Sequence, residues 1–121
     1  MPYIVGTLKQ TSLTLTGGAF ESGVTTTVTT DETAIISLSA TEYQSVEFKI
    51  QVIDSSTFNS TVVRAMHDGT NAYVSEYGTI QVAAGIATFS ADINSGSLSL
   101  LAYPVYSGLI TFNVIYTTLN A

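Results

Sequence analysis

The chain has 121 residues, of which 45% are hydrophobic and only 10% are charged, and its net charge is −6. That length fits a single domain, and the apolar content excludes a disordered chain. Its three cations, Lys9, Lys49 and Arg64, cannot form the basic clusters that bind nucleic acid or an anionic membrane. No apolar run approaches the roughly 20 residues of a membrane span, and the absence of cysteine excludes disulfides and thiolate metal sites.

Residues 1–32 are predicted to form an extended N-terminal arm with edge strands. The arm carries apolar side chains that need a partner surface, namely Tyr3, Ile4, Val5, Leu8, Leu13, Leu15 and Phe20. Residues 24–30 are almost entirely threonine, which favours extended backbone but specifies strand register weakly. We expect this run to pair at a sheet edge, either within the chain or with a neighbouring subunit. The N-terminus lacks the basic start of a signal peptide, which predicts synthesis in a cytoplasm.

Residues 33–121 are predicted to form one β-sandwich domain. The clearest strand runs from Tyr43 to Asp54, where apolar and polar residues alternate with a period of two. Its buried face is expected to hold Val46, Phe48, Ile50 and Val52. The same alternation predicts a strand with Ile110, Phe112, Val114 and Tyr116 on its buried face.

Turn residues separate these strands and predict hairpins. Asn94-Ser95-Gly96 predicts one between the strands that carry Ile93 and Leu98, and Asp68-Gly69 predicts another between Met66 and Tyr73. Short strands joined by tight turns, with no helical period longer than about two turns, are typical of an antiparallel sandwich. The expected fold is therefore all-β, with jelly-roll or immunoglobulin-like packing of two sheets.

The residues that carry chemistry are few and scattered. His67 is the single histidine, and we interpret it as the end of a strand before the Asp68-Gly69 turn. The run from Asp92 to Gly96 begins like a calcium loop but has Ser97 and Tyr103 where that loop needs glycine and glutamate. We predict no catalytic residue, no cofactor and no metal, although two facing carboxylates in a pocket would indicate a small glycosidase.

Tyrosine supplies the candidate contact residues outside the arm. The loop that contains Tyr103, Pro104 and Tyr106 is the one we expect to be exposed. Exposed tyrosines suit contacts with proteins and sugars, because they add a large rigid surface with a hydroxyl tip. The alternative is that these side chains only cap the core near strand ends.

The second half of the chain resembles a known family. Residues 43–52, YQSVEFKIQV, resemble the opening strand of a domain in virion structural proteins of tailed phages that infect marine cyanobacteria. Three later motifs match in the same order, at residues 67–70 (HDGT), 75–80 (SEYGTI) and 88–101 (TFSADINSGSLSLL). With residues 34–41 as a lead-in strand, the resemblance covers about residues 33–117.

This resemblance implies a virion protein without catalytic residues. It implies that Asp68-Gly69 and Ser95-Gly96 are turns, and that the Glu76 carboxylate meets a backbone or hydroxyl partner. In the family the domain usually ends longer structural proteins, including fibre and baseplate components.

Two hypotheses about function follow from the resemblance. The first is a homo-oligomeric capsid decoration (cement) protein, made in the host cytoplasm, that binds the major capsid protein or other virion proteins through its arm and strand edges. The alternative is a tail fibre or baseplate-associated module that recognises the host or binds carbohydrate through Tyr103 and Tyr106. Neither hypothesis involves nucleic acid or a membrane.

Overall fold

The computed structural model describes residues 12–15, 17–27, 29–55, 57–82, 84–105 and 107–121. Within these ranges the chain forms nine strands: β1 (Ser12–Leu15), β2 (Gly18–Thr27), β3 (Thr33–Ser39), β4 (Tyr43–Ile53), β5 (Phe58–His67), β6 (Ala72–Gln81), β7 (Ala87–Asn94), β8 (Ser97–Pro104) and β9 (Ile110–Asn120). The described ranges contain no helix long and apolar enough to cross a membrane.

The strands form two antiparallel sheets that pack face to face. The larger sheet has six strands in the order β1-β2-β9-β4-β5-β6, and the smaller has three in the order β3-β8-β7. The predicted all-β sandwich is therefore confirmed. β1 and β6 lie at the two edges of the larger sheet.

The core comes from the alternation seen in the sequence. On β4, Val46, Phe48, Ile50 and Val52 are all buried, as predicted, while Lys49 and Gln51 between them are exposed. β9 repeats the pattern, with Ile110, Phe112, Val114 and Tyr116 buried.

Aromatic contacts hold the two sheets and their central strands together. The ring of Phe89 on the smaller sheet meets Phe112 on the larger one edge to face, with centroids 6.1 Å apart. Within the larger sheet Phe48 and Tyr116 are cross-strand neighbours with centroids 5.6 Å apart. Pairs of this kind add stability beyond the area that they bury.

The first two strands belong to the larger sheet. β2 pairs with β9 over ten residues, from Gly18 opposite Leu119 to Thr27 opposite Ile110, and with β1 on its other side. The threonine-rich run is thus paired within its own chain as far as Thr27, which is one of the two arrangements expected. Residues 1–11 lie outside the described residues, and the boundary after residue 32 stays a prediction.

Both predicted hairpins are confirmed. β7 and β8 are joined by Ser95 and Gly96, whose φ angles of 52° and 79° are those of a tight primed turn. β5 and β6 are joined by a turn in which the Asp68 carboxylate accepts hydrogen bonds from the N–H groups of Thr70 and Asn71, at 2.9 and 2.7 Å. These bonds lower the pKa of Asp68.

His67 ends β5 and serves this turn, as the sequence indicated. It is buried, its Nε2 lies 2.6 Å from the Tyr43 carbonyl oxygen, and its Nδ1 accepts the Gly69 N–H at 3.0 Å. The side-chain amide of Gln44 donates to the His67 carbonyl. Both ring nitrogens are thus occupied by backbone groups.

Candidate contact surfaces

The predicted contact residues fall in several places. Tyr3, Ile4, Val5, Leu8 and Tyr106 lie outside the described residues. On the larger sheet Leu13 pairs in register with Phe20, and Leu15 pairs with Gly18.

The predicted Tyr103–Tyr106 loop is only partly as expected. Tyr103 and Pro104 are the last two residues of β8 rather than part of a loop, and Tyr103 is exposed whereas Pro104 is buried. That burial has a backbone cause, because the next residue, Val105, donates its N–H to the Ile86 carbonyl at 2.9 Å and draws the chain inward. The contact roles of all ten predicted residues stay predictions.

One exposed apolar surface lies at an end of the sandwich. Here β4, β6 and β8 finish and β5, β7 and β9 begin, so several connections meet. We call this end the loop end and define it by its exposed large side chains, which extend from the larger sheet through the connections to the smaller sheet: Phe58, Ile80, Val82, Val105, Leu109 and Tyr103. Of the predicted Tyr103–Tyr106 loop, it includes Tyr103 and Val105.

A buried asparagine holds the loop end together. Asn59 lies at the start of β5 and is only 5% exposed. With its amide oriented to satisfy both neighbours, the nitrogen donates to the Phe58 carbonyl and the oxygen accepts the Ile86 N–H, each at 2.9 Å. Asn59 thereby ties β5 to the segment that leads into β7. Sequence reasoning missed this role, because nothing local distinguishes a buried asparagine from a surface one.

Tyr103 is fixed by a carboxylate from another loop. Its hydroxyl donates a hydrogen bond to Glu32, which precedes β3. This hydrogen bond is the main cause of the raised pKa of Tyr103. The bond joins the segment before β3 to the end of β8 and leaves part of the tyrosine ring in solvent.

A second apolar surface is the outer face of the larger sheet, on the side away from the core. Apart from Phe58 and Ile80, which also point outward but belong to the loop end, its large exposed side chains are Met66 on β5, Tyr73 and Tyr77 on β6, and Ile115 and Leu119 on β9. We call this surface the outer face. Solitary exposed apolar residues are ordinary, but a contiguous group of them marks an interaction site.

Strand register arranges the outer face in rows that cross the sheet. One row contains Tyr73, Met66, Ser45 and Leu119, which are consecutive partners on β6, β5, β4 and β9. Another contains Tyr77, Val62, Lys49 and Ile115 on the same strands. Between them lies a polar row of Ser75, Arg64, Glu47 and Thr117.

The outer face also contains a shallow groove along β5 and β6. Its volume is about 680 Å³, and Arg64, Met66, Tyr73, Ser75 and Tyr77 are among its lining residues. The hydroxyl of Tyr77 donates to the Glu47 carboxylate at 2.9 Å, and this bond raises the pKa of Tyr77. Tyr73 similarly donates to Asp68 at 3.1 Å. Tyr77 therefore reaches across β5 towards β4, and Tyr73 is tied to the turn between β5 and β6.

The edge strand β6 carries features that discourage continuous pairing with another strand. Gly78 has a φ of 67°, and the β5–β6 register shifts between Ser60 and Val62. On the inner side Glu76 accepts hydrogen bonds from the hydroxyls of Thr61 at 3.0 Å and Thr79 at 3.1 Å. The predicted hydroxyl partner of Glu76 is confirmed. A bulge and an inward carboxylate both protect an edge.

No group of three or more His, Cys, Asp or Glu side chains in the described ranges is placed to hold a metal ion. The carboxylates that the structure brings to tyrosines are Glu21, Glu32, Glu47 and Asp68. In a chain with only three cations, tyrosine hydroxyls take the place that lysine and arginine usually occupy beside carboxylates. The sequence did not reveal these pairs, since their members are up to 95 residues apart.

Comparisons with known proteins found neither a matching family model nor a matching curated protein. Among solved structures, the chain is similar to the Acinetobacter phage vB_ApiP_P1 tailspike protein, with a TM-score of 0.48 and 16% identity, over 100% of this chain and 26% of the tailspike. It is also similar to the Acinetobacter baumannii phage AM24 tailspike protein, with a TM-score of 0.45 and 9% identity, over 84% of this chain and 27% of that one. The chain spans about a quarter of the length of each tailspike.

Proposed function

We propose that this chain is a structural, non-enzymatic module of a phage virion. The observation that carries the proposal is the concentration of exposed apolar side chains into the loop end and the outer face of one small domain. Such surfaces are suited to being covered by other proteins, and the low charge of the chain leaves little repulsion against close packing. The virion assignment comes from the motifs at residues 43–52, 67–70, 75–80 and 88–101.

Within the virion, we place the module on the tail, where the loop end makes the functional contact. Loops gathered at one end of a rigid sandwich are a common arrangement for recognition, because the sheets fix the positions of variable side chains. Here Asn59 and the Tyr103–Glu32 pair fix the loops. The exposed apolar residues Val105 and Leu109 would then make the contact, with the ring of Tyr103 beside them.

The capsid decoration hypothesis is the second candidate, and the structure changes what would support it. In that hypothesis, the N-terminal arm pairs with neighbouring shell subunits. Residues 18–27, however, are paired with β9 along their whole length, and residues 18–21 are also paired with β1 on the other side. Within these strands a decoration role could therefore use only the far side of residues 22–27, and otherwise it would depend on the outer face.

Mass spectrometry of purified virions tests the proposal, because it requires the protein to be present in intact particles. Immunogold labelling then separates the two candidates. A few copies at the tail are expected, whereas dozens to hundreds of copies over the head would instead support the decoration role. Absence of the protein from intact virions would refute both.

A phage that carries the double substitution Val105→Ser and Leu109→Ser tests the loop end directly. We expect the copy number of the protein per virion, or adsorption of the virion to its host, to fall at least 10-fold, with an unchanged far-UV spectrum of the purified protein. Ala34→Ser, an exposed change on the smaller sheet, is the control. Equal copy number and adsorption in the wild-type, double-variant and control phages would contradict a contact role for the loop end.

An assay for hydrolysis tests the proposal that the module is not an enzyme. Release of reducing ends from host polysaccharide by the purified protein would contradict it.

A further inference from the structure

The geometry points to the outer face as a self-association surface, on which a second copy of this chain packs across a two-fold axis. The axis runs parallel to the strands and between β4 and β5. This inference rests on the proposed role of the outer face as an assembly surface, and it names the partner as an identical chain. Such an interface uses the same patch of both copies, so the patch must be complementary to itself.

Charge complementarity is the first reason to expect that two copies pack through the outer face. Arg64 on β5 and Glu47 on β4 are cross-strand partners on either side of the axis. Rotation by 180° about that axis brings Arg64 of one copy over Glu47 of the other, and the reverse. Two oppositely charged contacts can therefore form at the centre of the interface, where Glu47 also accepts the Tyr77 hydroxyl of its own chain.

The apolar rows match in the same rotation. It brings β6 of one copy over β9 of the other, so that Tyr73 faces Leu119 and Tyr77 faces Ile115. The groove beside the two tyrosines is then filled by the Leu119 and Ile115 side chains of the second copy. Met66 faces Ser45, and Val62 faces the aliphatic part of Lys49. Four of the five large exposed apolar side chains in the two rows thus find apolar partners, and the exception is Met66.

The distribution of charge also favours this face for contact between copies. The chain has nine acidic residues and a net charge of −6. On the outward positions of β4, β5, β6 and β9, Glu47 is the single acid, beside both Lys49 and Arg64. This face is consequently slightly positive, whereas most of the described surface is negative. Two copies therefore repel each other least when they approach through it.

The size of the face fits a weak, specific dimer. Four strands about 4.8 Å apart and about 27 Å long present roughly 500 Å² of flat area per copy, or roughly 1,000 Å² in the dimer. That total is near the lower limit for a specific interface. Facing sheets cross at about −30°, which shifts side chains little near the axis and by a few ångströms at β6 and β9. The long side chains of Tyr77 and Leu119 can span such a shift.

Sedimentation equilibrium on the purified full chain tests the inference. We expect a reversible dimer in the wild type, and at least a 10-fold weaker dimer in Arg64→Glu and in Glu47→Arg, because each reversal places like charges in opposition. The double variant Glu47→Arg with Arg64→Glu restores opposite charges across the axis and is expected to dimerise like the wild type. Asp92→Lys, a reversal on the smaller sheet, is the matched control and should not weaken the dimer.

Mixing the two single variants sharpens the test. Arg64→Glu and Glu47→Arg are each expected to be largely monomeric alone but to form a heterodimer together, since every central contact then joins opposite charges. A wild type that is monomeric at about 1 mM would overturn the inference, as would a dimer that neither single reversal weakens. Presence of the protein in virions is measured separately, so a monomeric wild type found in virions would refute only this inference and leave the proposed function standing.

Discussion

The outer face and the loop end are both apolar and exposed, but the chain builds them in different ways. On the outer face, strand register alone aligns Tyr73, Met66 and Leu119 in a row. At the loop end, the exposed residues lie on strand ends and on separate connections, and side-chain hydrogen bonds of Asn59 and Tyr103 join some of these segments. The first surface therefore depends on backbone pairing across the sheet, and the second depends on a few polar side chains.

A substitution that breaks the register of the larger sheet should lower the free energy of unfolding most. In Gly18→Ala, the added Cβ would lie 1.9 Å from the Thr118 carbonyl oxygen, so β2 must move away from β9. We expect a loss of about 3 kcal/mol in the free energy of unfolding, measured with urea. Gly17→Ala is the matched control, because a Cβ there meets nothing within 4 Å. Equal stabilities of the two variants would show that β2 is not held against β9 as described.

Removal of the buried Asn59 amide at the loop end should cause the next largest fall in the free energy of unfolding. Asn59→Ala leaves the Ile86 N–H without its partner, and we expect a loss of about 2 kcal/mol in the free energy of unfolding. Hydrogen exchange should become faster at Ile86 but stay unchanged in the centre of β9. Ser60→Ala, an exposed neighbour on the same strand, serves as the control. Unchanged exchange at Ile86 would contradict the anchoring role of Asn59.

Alkaline pH should affect the sheet through Tyr116. This residue is 7% exposed, and burial together with the hydrogen bond to Glu21 at 2.6 Å raises its pKa well above the usual value. A raised pKa in the folded state contributes stability that is fully present below the ordinary tyrosine pKa of about 10 and is lost as the pH rises through the folded value. We expect urea midpoints to fall above about pH 10 in the wild type and to fall less steeply in Tyr116→Phe. Parallel curves for the two proteins would refute this linkage.

Removing a hydroxyl at the exposed loop end should have the smallest effect on stability. Tyr103→Phe loses the hydrogen bond to Glu32 but keeps the ring, and solvent takes the place of the lost partner. We expect an unchanged urea midpoint and faster hydrogen exchange in the segment before β3. Glu32→Gln should do the same, since it removes the charge from the other member of the pair. A large fall in the midpoint for either variant would show that the pair supports the whole domain.

The sequence predicted the fold well where one strand face is buried and the other exposed. The alternation from Val46 to Val52 and from Ile110 to Tyr116 predicted the central strands, and Asp68-Gly69 and Ser95-Gly96 predicted the two hairpins. It predicted less well for residues 18–27, because a run of threonines and small residues has no strongly apolar face. The pairing of that strand was decided by β9, which offered a complete set of backbone partners.

For the contact surfaces, too, local sequence patterns determined some features and long-range packing determined the others. The sequence by itself determined that the chain is an antiparallel β protein of low charge, because a two-residue period and turn residues are local properties. Only the tertiary structure decided which strands are neighbours, and hence that Arg64 lies opposite Glu47 and that Tyr103 meets Glu32. The physical reason is that alternation fixes the face on which a side chain lies, whereas its neighbours across the sheet depend on the packing of the whole core.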